Sequence, residues 1–265
     1  MSALLIEKTG SVVTLTINRP ESRNPLGEDG DGELFANAAA GINADRDVRC
    51  VILTGAGKAF SAGGNLKAMR ERAGTFAGPG VLIRERYRSG IHRMVRALWT
   101  IEVPMIAAVN GPAIGLGNDV ACLADLRIAA DTAVFGATFL KVGLVPGDGG
   151  AWILPRTIGM ARAAELFYTA DTIDAQTALA WGLVSKVVPH AQLLDEARAL
   201  AARICRQPPD VLRMTKKLMR EGLGASFDAI MDMSAAMQAL AHMTRDHQEA
   251  VAAFFEKRSP EFKGE

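Results

Sequence analysis

Apolar and polar positions alternate along residues 11–18, SVVTLTIN, and most of the apolar ones are β-branched. That period of two marks a strand with one buried face. Residues 49–57, RCVILTGAG, and 104–111, PMIAAVNG, carry unbroken apolar runs closed by glycine, the pattern of strands buried on both faces. LRIAADTAVFGA, 126–137, reads as two short strands or one bent strand, and GLVSKVVP, 182–189, as the last strand. Between these the apolar spacing changes to three and four. An alanine-rich helix follows the Pro/Gly turn within residues 23–45, and GVLIRERYRSGIHRMVRALW, 80–99, reads as a helix. Strands alternating with helices predict an α/β layout with a largely parallel sheet.

Past residue 189 the strand signal stops. Residues 191–207, 210–222 and 226–258 all carry helical spacing, the last rich in Met and Ala, and Pro208-Pro209 marks a helix start. The chain therefore divides into an α/β core over 1–189 and a helical region over 190–265. Such an apolar tail must pack on the core or on another subunit.

Composition narrows the function. Of 265 residues, 49% are apolar and 22% charged, which suits a soluble chain with a sizeable core. A formal net charge of +1 gives no electrostatic reason for a nucleic-acid or membrane partner. The basic stretch 83–96 is interrupted by acids and apolar residues, as on a solvated helix face. Three scattered cysteines, Cys50, Cys122 and Cys205, offer no disulfide framework and fit a reducing compartment; with no secretory pattern at the N-terminus, the expected location is the cytoplasm. The histidines and acids show no metal-ligand spacing, so no metal is expected. TGAGKAF (54–60) lacks the first glycine and the hydroxyl of a phosphate loop, GLGNDV (115–120) lacks the third glycine of a dinucleotide fingerprint, and Ser61 is not in a nucleophile elbow.

Three longer stretches, taken in order, are more specific. They are GKAFSAGGNLKAM (57–69), NGPAIGLGNDVACLADLRIAA (110–130) and FGATFLKVGLVPGDGGAWILPRTIG (135–159), followed by AWGLVSKVVP (180–189) and FFEKRSPEF (254–262). The chain resembles the enoyl-CoA hydratase/isomerase (crotonase) family over essentially its whole length. The resemblance implies a crotonase-like α/β fold of repeated ββα units and a helical C-terminal region that trimerises, often as a dimer of trimers. It also implies an acyl-CoA thioester substrate, with coenzyme A entering only as part of that substrate and no separate cofactor. The thioester carbonyl would sit in an oxyanion hole formed by the N–H groups of Gly64 and Leu116. Gly115 and Gly117 would let the thioester approach the backbone. Arg23, Leu26, Ala62, Leu66 and Lys67 align with positions bordering the nucleotide and pantetheine, and Phe254 and Lys257 with positions meeting the CoA phosphates, a contact that the resemblance allows from a neighbouring subunit.

The acids decide which reaction runs. Hydratases of the family hold water between two glutamates; here the first position is Asp119 and the second is Phe139, which transfers no proton and occupies the site of a water. Asp119 is the expected acid/base, its alternative being a helix cap, with isomerase-like or altered hydratase chemistry. Asp148, in the Gly-rich loop PGDGG, is the alternative working acid, for a decarboxylase, hydrolase or lyase on the same scaffold. A CoA-binding relative without catalysis is the third reading. Asp125 is read as a tie between a helix end and the next strand. The acyl pocket is expected to be shaped by residues 70–99, which carry no readable code for the acyl chain.

Overall fold

The computed structural model describes residues 2–265. In chain order its strands are β1 (Leu4–Thr9), β2 (Val12–Ile17), β3 (Pro25–Leu26), β4 (Cys50–Gly55), β5 (Gly63–Gly64), β6 (Met105–Val109), β7 (Ala113–Ile114), β8 (Leu126–Ala130), β9 (Val134–Gly136), β10 (Thr172–Asp174) and β11 (Lys186–Val188). The helices are α1 (Asp31–Ala44), α2 (Leu66–Glu71), α3 (Gly80–Ser89), α4 (Ile91–Trp99), α5 (Leu116–Leu123), α6 (Gly150–Ile158), α7 (Met160–Thr169), α8 (Ala175–Ala180), α9 (Leu193–Cys205), α10 (Pro209–Glu221), α11 (Phe227–His242) and α12 (Arg245–Glu256).

A six-stranded sheet in the order β1-β2-β4-β6-β8-β11 forms the centre, with β1 antiparallel to β2 and every other pairing parallel. Burial follows the sequence pattern. In β2 the buried positions alternate, Val13, Leu15 and Ile17, whereas β4 and β6 are buried throughout. Alternate side chains of β4 enter two separate cores. Val51 and Leu53 join Phe35, Met94 and Val120 on the face covered by α1, α4 and α5; Cys50 and Ile52 join Leu193, Ala197 and Ala201 of α9 on the other. The last strand ends at Val188, and every later regular element is a helix.

Several boundaries differ from the sequence reading. The N-terminal strand β1 is exposed at every position after Leu4, so no alternation of buried and exposed faces marks it as a strand. The helix expected over 80–99 breaks at Gly90, whose backbone lies against Gly32 of α1: a Cβ on Gly32 would come under 3.0 Å from the Gly90 backbone. The single segment expected over 226–258 is two helices, because the Thr244 side chain accepts from the His247 N–H and caps α12.

Charge, more than an apolar stripe, fastens α10 to the core. Arg213 donates to Glu102 (2.8 Å), and Lys216 donates to the Val103 carbonyl (2.7 Å) while pairing with Asp125 at 2.7 Å. Arg220 pairs with Asp125 at 3.0 Å, donates to the Trp99 carbonyl, and lies 3.9 Å over the Trp99 ring. Asp125 also accepts from the Met105 N–H (2.8 Å). The tie expected from Asp125 to the following strand, β8, runs instead to the neighbouring strand β6 at Met105, which the sheet places beside the end of α5, and a second tie reaches α10.

Candidate active site

Two small ladders build the site beside the main sheet. β3 pairs with β5 so that Leu26 lies opposite Gly64, and the Ala62 N–H donates to the Arg23 carbonyl (2.8 Å). The Ser61 N–H donates to the Pro112 carbonyl (3.0 Å), and the Ile114 N–H donates back to Ser61 (3.0 Å). These bonds bring the segment 61–64 against the start of α5. Leu116 is the first residue of α5, so its N–H has no partner within the helix.

The glycines in GPAIGLG have separate tasks. Gly115 has φ +54°, in the left-handed region, and a Cβ there would meet only the edge of the Phe139 ring, at 3.9 Å. Gly117 faces the other way: a Cβ there would come under 3.0 Å from the Ser61 backbone and side chain. Gly115 thus borders the cavity as expected. Gly117 does not; its small size lets α5 pack onto the segment that carries Ser61 and, three residues on, Gly64.

A cavity of about 270 Å³ lies at this junction. Its floor is formed by Gly63, Gly64, Gly115 and Leu116, with Ala62 and Leu66 at the edge. Phe139, Thr138, Lys141, Val142 and Leu144 also line it, as do Met69, Phe76, Tyr87 and Ile91. The last three lie within 70–99, the segment expected to shape the acyl pocket. Only the fold shows which of its side chains turn inward.

Among the described residues Asp148 is the only carboxylate on the cavity wall. It is 4% exposed, and its Oδ1 is buried without a hydrogen-bond partner among the described residues. Burial pushes its carboxyl up to about 6, and the neighbouring charge of His92 pulls against that rise. Asp119 does not line the cavity. Its Oδ2 accepts from the Gly150 N–H at 3.0 Å, at the first turn of α6, so α5 supplies a cap for another helix. The contact is tight enough that a Cβ on Gly150 would fall inside the carboxylate, under 3.0 Å from three of its atoms. Burial, then the charge of Asp148, push the Asp119 carboxyl up to about 8.

Of the other expected contact residues, Leu26 is buried under the loop it pairs with, while Arg23 and Lys67 are exposed and outside the cavity wall. Phe254 and Lys257 lie at the exposed end of α12, away from the cavity of their own chain. The buried thiol of Cys122 is pushed up to about 12 and that of Cys50 is raised further, both chiefly by desolvation, which suits inert core cysteines. Among the described residues no helix is long and apolar enough to cross a membrane.

The model of the enoyl-CoA hydratase/isomerase family matches residues 7–265. The chain belongs to that family. A crotonyl-CoA hydratase of Syntrophomonas wolfei is 37% identical over 260 residues, covering 98% of this chain and 97% of that protein. A 1,2-epoxyphenylacetyl-CoA isomerase of Escherichia coli is 36% identical over 264 residues, covering 100% and 99%. The crystal structure of an enoyl-CoA hydratase from Bacillus anthracis superimposes with a TM-score of 0.92 at 34% identity, over all of both chains. The fold is the crotonase fold, a mixed α/β core with a helical C-terminal part, and the family is one of lyases and isomerases.

Proposed function

We propose that this member of the enoyl-CoA hydratase/isomerase family moves a proton on an acyl-CoA enolate, with Asp148 as its acid/base and a double-bond shift as its reaction. One observation carries the reading: the cavity that joins Gly64 to Leu116 presents a single carboxylate, Asp148, and has Phe139 where a second acid would stand. Syn-hydration needs one group to activate water and another to deliver a proton. A double-bond shift needs only one.

The step balances with no further reactant. The Asp148 carboxylate takes a proton from C2 of a 3-enoyl thioester, and the electron pair moves onto the thioester oxygen. The Gly64 and Leu116 N–H groups are the donors for that oxygen, each such donor being worth about 3–4 kcal/mol of barrier. Protonated Asp148 then returns the proton to C4, and the 2-enoyl thioester forms. A carboxyl raised to about 6 is suited to both halves of the transfer. Asp119, expected from its sequence position to be the acid/base, supports this site from behind through its bond to Gly150. Arg23, Leu26, Ala62, Leu66 and Lys67 remain the proposed neighbours of the nucleotide and pantetheine, and Phe254 and Lys257 are proposed to serve a neighbouring protomer's CoA.

A trimer, or a dimer of trimers, accompanies this reading. No side chain of α11 is buried, Phe227 and Met243 are 78% and 82% exposed, and Phe254 and Phe255 of α12 are 79% and 78% exposed. A groove of about 750 Å³ runs between α10, α11 and the end of α4.

The test is conversion of 3-hexenoyl-CoA to 2-hexenoyl-CoA together with α-hydrogen exchange of butyryl-CoA in D2O. Asp148→Asn should lower both by about 10²–10⁴-fold. Asp119→Asn should keep both within about tenfold. Wild-type protein inert in both assays, or Asp148→Asn at full rate, overturns the reading. Asp119→Asn inactive beside an active Asp148→Asn returns the chemistry to Asp119.

A further inference from the structure

His92 lies on α4, within the stretch 83–96 that the sequence presents as a solvated helix face, yet it reaches the loop that carries the acid. Its Nε2 is 2.8 Å from the Gly147 carbonyl oxygen. A carbonyl only accepts, so Nε2 carries the hydrogen and donates it. Gly147 immediately precedes Asp148, and the bond therefore acts one residue from the carboxylate. Asp148 has little else to hold it, its Oδ1 being without a partner.

The imidazole is itself fixed by aromatic contacts. The Tyr87 ring stands edge-on to it, centroids 5.9 Å apart at 77°, and Phe76 stands edge-on to Tyr87 at 6.3 Å and 67°. Tyr87 also flanks the loop directly: a Cβ on Gly147 would touch its Cε1 at 3.8 Å. Both Tyr87 and Phe76 line the cavity. The acyl wall and the acid loop are thus joined through one histidine.

We infer that His92 is a positioning residue for the proton transfer: its Nε2–H bond to Gly147 holds the loop 146–149 so that Asp148 meets the thioester, and Tyr87 holds the His92 ring. The inference rests on the assignment of the chemistry to Asp148. The titratable groups that act on that carboxyl are His92 from α4, the Tyr87 hydroxyl from α3 and Asp119 from α5, and Lys141 also lines the cavity. Of these, His92 lowers the Asp148 carboxyl, so replacing it by a neutral side chain moves the acid limb of the activity profile to higher pH.

The experiment compares His92→Phe, His92→Gln and Asp148→Asn in α-hydrogen exchange of butyryl-CoA in D2O, followed against pD. His92→Phe keeps a ring beside Tyr87 but has no donor, and the expected loss in the exchange rate constant is about ten- to a hundredfold. The apparent KM for butyryl-CoA should stay within about threefold, since the bond acts on the acid and not on thioester affinity. His92→Gln places an N–H near the same point and should restore the rate to within about threefold of wild type, with the acid limb still shifted upward. A merely structural role leaves His92→Phe and His92→Gln alike in rate, since the limb follows the loss of the His92 charge in either variant. His92→Phe at wild-type rate, or His92→Gln as slow as His92→Phe, beside an inactive Asp148→Asn, overturns the inference and leaves the acid assignment standing. Asp148→Asn at full rate overturns the assignment itself, and the inference with it.

Discussion

Asp119 is the residue at which a pH-dependent stability can be worked through. Its carboxyl sits 1% exposed between α5 and the first turn of α6, raised from the ordinary value of 3.8 to about 8 by burial first and by Asp148 second. Below about pH 4 the group is protonated in both the folded and unfolded chain and has no effect on their balance. Between about 4 and 8 the unfolded chain loses the proton while the folded one keeps it, so wild-type stability falls as pH rises through that window. Asp119→Asn removes the titration, yet its Oδ1 still accepts from the Gly150 N–H. The Asp148 carboxyl is present in both proteins and largely cancels in the comparison. At about 1.36 kcal/mol per pH unit, the three units from pH 5 to 8 shift the difference toward the variant by roughly 4 kcal/mol. For a chain of this size that is about 8 °C in Tm. The assay is thermal unfolding of both proteins at one concentration, at pH 5, 6.5 and 8, because association also moves Tm. A Tm difference that stays constant from pH 5 to 8, or a wild type that gains on the variant toward pH 8, refutes the argument that burial keeps this carboxyl protonated.

Three other outcomes are expected. Gly150→Ala should destabilise by about 1–3 kcal/mol through overpacking on the Asp119 carboxylate, and Asp119→Ala in the same chain should recover part of that loss in a double-mutant cycle of urea unfolding. Crotonyl-CoA hydration followed by absorbance should stay below the enzyme median of about 10 per second, and a turnover of hundreds per second contradicts the reading of Phe139. Sedimentation should show a trimer or hexamer at micromolar concentration, whereas a stable monomer removes the role given to α11 and α12.

The apolar pattern alone determined the α/β class, because burial on one face or two leaves a local period that needs no partner to be read. VVTLTI alternates and is half buried; CVILTG does not alternate and is wholly buried. The motifs around Gly64 and Leu116 were likewise legible, since a small residue and a helix start are local properties. Tertiary structure decided which acid lines the cavity. Asp119 and Asp148 are both acids beside glycines, and nothing local distinguishes a carboxylate turned onto the Gly150 N–H from one turned toward a cavity. It also assigned Gly117 to packing against Ser61, and it brought His92, 55 residues away in sequence, to the Gly147 carbonyl. Fastening of α10 by Lys216 and Arg220 was hidden for the same reason: on a lone helix these cations read as solvated, and only the meeting with Asp125 and the Val103 carbonyl gives them a buried partner. Period and propensity belong to a segment, whereas the direction in which a side chain is satisfied belongs to whatever the fold places opposite it.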